Sequence, residues 1–175
     1  MAWNCAATGI GSLPHKDPQK ALDLVTASMR EVPYWPQLPA LGFGENMYAQ
    51  FSFPLPGVKV DARKKRITVD LNDYDPEAFY TAVVTDDVEH FTHPKENFQG
   101  LYALLDRFKG KRLPVVKGQV TGPVSTGLQV LDQNGKGAIY DEAYGEIIRR
   151  GLNMQAKWQA RKLGEISERP IIFLD

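Results

Sequence analysis

Cysteine is all but missing from this 175-residue chain: Cys5 stands alone. That excludes a disulfide within one copy and fits a reducing, cytoplasmic setting. Histidine is scarce too, with three in all, so few soft donors exist for a metal centre. No apolar run reaches the roughly 18 residues of a membrane span, and the opening Met1-Ala2-Trp3-Asn4 does not read as a signal peptide. Charge of neither sign prevails. Lys plus Arg and Asp plus Glu number 21 each, so no global field draws the chain to nucleic acid or to an anionic membrane, and neither is expected as a partner. The 12 prolines are scattered, which argues for loop punctuation in a folded protein and against a low-complexity tract.

What is present is an alternation of short apolar runs and amphipathic stretches. Residues 4–9 form a small-residue strand candidate running into Gly9-Ile10-Gly11-Ser12-Leu13-Pro14-His15. Asp17-Pro18 is a helix start, with Leu22, Val25, Met29 and Val32 on one face before Pro33 stops it. A second strand candidate at 34–38 is interrupted by Pro36. Residues 45–51 read as a short helix. Val58, Val60, Ile67, Val69 and Leu71 alternate around the basic turn Arg63-Lys64-Lys65, which predicts a solvent-facing hairpin.

Asp75-Pro76 opens another helix through about Val84, and Phe98, Leu101, Leu105 and Phe108 space as a helix ending at Gly110. Residues 113–120 read as a third strand leading into Thr121-Gly122-Pro123. After a loop holding Gly127, Asn134, Gly135 and Gly137, a long helix is predicted over 138–163, with Tyr140, Tyr144, Ile147, Gly151, Met154 and Trp158 inward. Residues 171–174 close the pattern as a fully buried strand ending at Asp175. The order predicts an α/β fold, a parallel (β/α) half-barrel: about four core strands of a TIM-type barrel plus a β-hairpin insertion, residues 1–175 as a single domain. The length falls below the roughly 250 residues of a complete eight-stranded barrel, so the chain reads as the amino-terminal half of one.

In such folds the carboxyl ends of the strands carry the site. Gly9-x-Gly11-Ser12 lacks the third glycine of a dinucleotide fingerprint, since position 14 is proline, and Lys117-Gly118 lacks the rest of a nucleoside-triphosphate loop. The Gly11-Ser12 turn can instead offer an N–H and a hydroxyl to a small carboxylate or amino acid, or be an ordinary turn. His15 lies on the same loop and could donate or move a proton. His90 and His93 have ligand spacing, but Pro94 follows, and a surface loop is expected.

Residues 116–123 put polar side chains, including Gln119 and Thr121, inside a buried strand, where they must meet one another or a ligand. Asp175 needs a cation, an amine or donors for the same reason. Gln37 among the aromatics Tyr34 and Trp35, and Glu45-Asn46 beyond, either line a pocket or serve as core and helix cap.

Thr8-Gly9-Ile10-Gly11-Ser12-Leu13-Pro14, Lys117-Gly118-Gln119-Val120-Thr121-Gly122-Pro123 and Ile171-Ile172-Phe173-Leu174-Asp175 resemble, in order, three landmarks of the cobalamin-independent methionine synthase catalytic barrel. That barrel shares a superfamily with uroporphyrinogen decarboxylase. The resemblance implies methyl transfer to a thiol such as homocysteine. Ile10, Ser12, His15 and Asp175 would stand on the amino-acid side and Gln119 and Thr121 would shape the floor near the methyl donor. It also implies zinc in the complete enzyme, with ligands in a second half-barrel, so no metal ligand is assigned here and none of these residues is assigned a catalytic role. The half-barrel alone is expected to be inactive and to self-associate through open edges. Two departures stand out: His15 follows the turn where the synthases carry Arg or Gln, and Trp35-Pro36-Gln37-Leu38-Pro39 replaces a His-Gly-Glu pattern. Alternatives are a decarboxylase-like or corrinoid-linked relative, and a non-catalytic ligand-binding half-barrel.

Overall fold

The computed structural model describes residues 5–175. Its spine is a set of parallel segments adjacent in chain order. The first two are so interrupted that they touch their neighbours at single points: Ser12 bridges Gln37, and Tyr34 bridges Lys117, both in parallel. The third and fourth are regular strands, β3 (Val116–Val120) and β5 (Pro170–Leu174), paired in parallel from Val116↔Pro170 to Val120↔Leu174. β1 (Lys59–Asp61) and β2 (Arg66–Thr68) form the expected hairpin, and β4 (Val130–Leu131) adds to β2 in parallel. Mixed α/β architecture with parallel pairing is therefore what the chain adopts.

Six α-helices among the described residues cover these segments. α1 (Pro18–Ser28) starts where Asp17 accepts from the Gln19 and Lys20 amides, with Pro18 at its first position. α2 (Met47–Ser52) is capped by Asn46, whose side chain accepts from the Tyr48 amide. α3 (Glu77–Val84) buries Phe79 and Ala82. α4 (Gln99–Arg107) ends before Gly110, and of its predicted face Phe98 and Leu101 are buried while Leu105 and Phe108 are half-buried and Leu104 is buried instead. α5 (Pro123–Gln129) follows β3 directly, and α6 (Glu142–Gly164) packs across β3 and β5.

Irregular strands and helix ends leave main-chain carbonyls without partners, and buried ones must be satisfied. Helix α6 does this with glutamines. Gln159 accepts from the Trp35 indole N–H at 2.9 Å and donates to the Gln119 carbonyl at 2.8 Å, while Gln155 donates to the Phe51 carbonyl at 3.0 Å. Around these ties lie fully buried Trp35, Phe51, Phe98 and Trp158, each contributing roughly 2–3 kcal/mol by removal from water.

The structure departs from the sequence expectations at several elements. Of the first strand candidate, Asn4 lies outside the described residues and 5–10 pair with nothing as a ladder. α1 ends at Ser28, so Met29 and Val32 are not helical, although Val32 is buried. The supposed loop after residue 122 contains α5 and β4. The long helix begins at Glu142, where Asp141 accepts from the Tyr144 amide, and Tyr140 is exposed, not inward. The hairpin is not merely solvent-facing, because Ile67 is buried against β4. His93 is not on a surface loop. It is fully buried, stacked 3.9 Å from the Phe98 ring and edge-on to Trp158, which drives its pKa down to about 3 by desolvation. β5 is not fully buried either: it is the outer member of its sheet, and Phe173 and Leu174 are exposed.

Gly100 shows how tightly α4 meets the second segment, because a Cβ there would overlap the Pro36 carbonyl oxygen. A helical Gly→Ala change ordinarily gains about 1 kcal/mol. Gly100→Ala should instead cost roughly 3 kcal/mol, since backbone must move to admit the methyl. Urea denaturation of the variant checks this, and a neutral or stabilising result would contradict the packing.

Candidate functional site

Register brings the ends of the four parallel segments to one level. Ser12 stands beside Gln37. Counting along from Tyr34↔Lys117 sets Gln37 beside Val120, and Val120 pairs with Leu174. Ser12, Gln37, Thr121 and Asp175 thus cap neighbouring segments at their carboxyl ends. Main-chain bonds fix this edge: the Leu13 amide donates to Gln37 at 2.9 Å, the Gln37 amide to Gly11 at 3.0 Å, and the Asp175 amide to Val120 at 3.0 Å. The Gly122 amide closes back on the Asp175 carbonyl.

Gly11 is needed for space. A Cβ there would press on Gln119 Nε2 at 2.8 Å and Gln37 Oε1 at 3.0 Å, so its absence lets two side-chain amides converge beside the turn. Gln119 donates to the Trp35 carbonyl at 3.1 Å, and it accepts at 3.0 Å from the Lys117 ammonium, which also donates to the Ile10 carbonyl at 2.5 Å. Gln37 donates to Gln50 at 2.8 Å, and Gln50 donates to Glu45 at 3.1 Å and to the Asn97 carbonyl at 2.7 Å. Glu45 also accepts from the Gln99 amide at 2.9 Å. Burial raises the Glu45 pKa to about 7, against the lowering pull of the Gln99 and Leu38 amides and the Gln50 side chain. This chain of amides holds Gln37 from behind while its oxygen faces Gly11.

The structure distributes the sequence-predicted residues unevenly. Ser12, Gln37, Gln119, Thr121 and Asp175 share the carboxyl edge; Ser12 and Asp175 are exposed, while the other three are buried. His15 is half-buried on the same loop, with Nδ1 unpartnered. Ile10 projects an exposed side chain and contributes its carbonyl to Lys117. Glu45 acts through Gln50, not at the edge itself. Asn46 caps α2 and lines a separate cleft of about 260 Å³ with Phe43, Tyr48, Lys65 and Arg66. A larger cleft of about 480 Å³, which includes Tyr102 and Lys162, also draws on Gly110 and Ile166, the stretches that precede β3 and β5.

Two residues at the centre were not assigned to the site from sequence. Lys117 is fully buried, its pKa brought down to about 8 by burial although the Asp175 charge pulls the other way. The signal was available: a lysine between Val116 and Gly118 in a buried strand. Gln50 carried no such signal, since its partners Gln37, Glu45 and Asn97 are brought to it by irregular chain and not by a periodic element.

Comparison with family models, curated proteins and solved structures finds no match for this chain. Zinc, which the sequence resemblance implies for a complete enzyme, does not fit the donors here. Among the described residues no three His, Cys, Asp or Glu side chains converge, Cys5 is exposed, and His93 is enclosed by aromatic rings.

Glu45 gives the site a pH signature. Its folded pKa of about 7 lies above the ordinary value of 4.5, so its contribution to stability is fully present below pH 4.5 and is lost as pH rises through 7. The loss amounts to up to about 3 kcal/mol. Glu45→Gln keeps an acceptor oxygen and should remove that decline, as denaturant titrations of both proteins between pH 4.5 and 8 will show. Parallel pH dependences would contradict it.

Proposed function

We propose that this chain forms the amino-acid-binding side of a parallel (β/α) barrel site of the methionine synthase type, taking a small thiol amino acid such as homocysteine for methyl transfer. The single observation that supports the reading most is the common level of Ser12, Gln37, Thr121 and Asp175 on four neighbouring parallel segments. A zwitterionic ligand needs an acceptor for its ammonium and donors for its carboxylate. Asp175 and the Gln37 oxygen supply the first; the Ser12 hydroxyl and the Gln119 amide N–H supply the second.

In this reading the four segments are half of an eight-stranded barrel, and the hairpin with β4 is an insertion. The half-barrel leaves methyl-donor binding and any thiol activation to parts of a complete site not built from these residues, so the chain alone binds without turning over. Exposed Ile10, Phe173 and Leu174 lie on the two outer members of the set, and self-association there is part of the proposal.

Titration calorimetry tests the reading. Homocysteine should bind, and Ser12→Ala or Asp175→Asn should each weaken it roughly ten-fold, the scale of a lost charge-assisted bond. An analogue lacking the amino group should lose as much with the native protein and little more with Asp175→Asn. Equal affinity across native protein and both variants would overturn the assignment.

A further inference from the structure

Lys117 is an ionisable group at the heart of the parallel set for which the proposed binding of an amino acid has no use. Its amino group is held by two oxygens, the Ile10 carbonyl on the first segment and Gln119 Oε1 on its own strand. Two acceptors match the two N–H bonds of a neutral amine and leave its lone pair unengaged, whereas an ammonium would bring a third donor. The remaining surroundings are aromatic: the amino nitrogen lies 5.2 Å from the Tyr34 ring centre and 5.0 Å from that of Phe173. These faces soften the burial of the charged form without offering it a further acceptor.

We propose that Lys117 is a nucleophilic amine that condenses with small neutral aldehydes or ketones at the carboxyl edge of the parallel set. The neutral amine attacks the carbonyl carbon, a C–N bond forms, and a carbinolamine results. Its hydroxyl then leaves as water, the two amine protons departing with the former carbonyl oxygen, and a C=N bond remains. No oxidant, reductant or metal enters the balance. The depressed basicity that burial imposes on Lys117 serves this chemistry, since only the unprotonated amine attacks. Tyr34 is nearly as buried as Lys117, but Phe173, on the outer strand, is 47% exposed, so its ring is the cover that a carbonyl compound must displace. Asp175 excludes anionic carbonyl compounds by charge, which is why the class is neutral.

Borohydride trapping with acetaldehyde, read by peptide mass mapping, tests this on the native chain. At pH 7 an amine titrating near 8 is neutral about two-hundred-fold more often than one at the ordinary lysine value of about 10.4. Lys117 should therefore be alkylated at least ten-fold faster than the exposed Lys64 and Lys111, with a half-maximal rate near pH 8. Phe173→Ala should speed the reaction several-fold while leaving Lys64 and Lys111 unchanged, and this variant keeps the Lys117 hydrogen bonds, whereas Lys117→Met risks the fold. Lys117 unlabelled in the native protein, labelled no faster than Lys64, or half-maximal only near pH 10 would each overturn the proposal and leave Lys117 as a strut between segments. An unchanged rate in Phe173→Ala would overturn the assignment of that ring as the cover.

Discussion

Everything at the carboxyl edge depends on how the segment around residues 33–37 is held between its neighbours. Pro33 and Pro36 have no N–H to give, so this stretch cannot ladder as an ordinary central strand. It is held by what remains: the Gln37 amide to Gly11, the Leu13 amide to Gln37, and the Lys117 amide to Pro33 at 2.8 Å. At the Trp35 carbonyl a side chain, Gln119, supplies the donor. The segment is thus an intermediary that couples the Gly11-Ser12 turn to β3, and through β3 to Asp175.

A shortage of main-chain partners, in the interrupted strands and at helix and turn ends, explains the many buried amides. Gln159, Gln155, Gln119, Gln50 and Gln37 are all buried, and each bonds a backbone carbonyl or another of the group. An amide both donates and accepts, so it can link groups that a regular sheet would have paired directly. One consequence is chemical. A site built on such links carries few fixed charges, and the two ionisable groups it does enclose, Glu45 and Lys117, are both shifted toward neutrality by burial.

Much of the helical framework was legible in the sequence because its signals are local. Asp17-Pro18, Asp75-Pro76 and the spacing of Phe98, Leu101 and Leu105 each mark an element that the structure contains. α5 was missed although Pro123 occupies its first position, because Ser125, Thr126 and Gly127 carry little helical preference. Tyr140 was drawn inward by periodicity that ran past the true cap at Asp141. β5 read as buried because its apolar run says nothing about whether a neighbour lies on both sides. For the candidate site, strand-end logic placed Ser12, Gln119 and Asp175 at the carboxyl edge, where the structure has them, since alternation and position suffice for that. It could not find the link from Gln37 through Gln50 to Glu45, which lies in an irregular stretch without periodicity and is anchored by Asn97 and Gln99 from a distant one.

The most direct measurement of the central claim is amide hydrogen exchange at Gln37 and Lys117, resolved by NMR. If the proline-broken segment is truly paired on both sides, both amides should exchange at least a hundred-fold more slowly than the exposed turn at Lys64, at a rate approaching that of the β3 core. Exchange at Gln37 and Lys117 as fast as at Lys64 would mean the segment is not held between its neighbours, and the shared edge of Ser12, Gln37, Thr121 and Asp175 would fall with it.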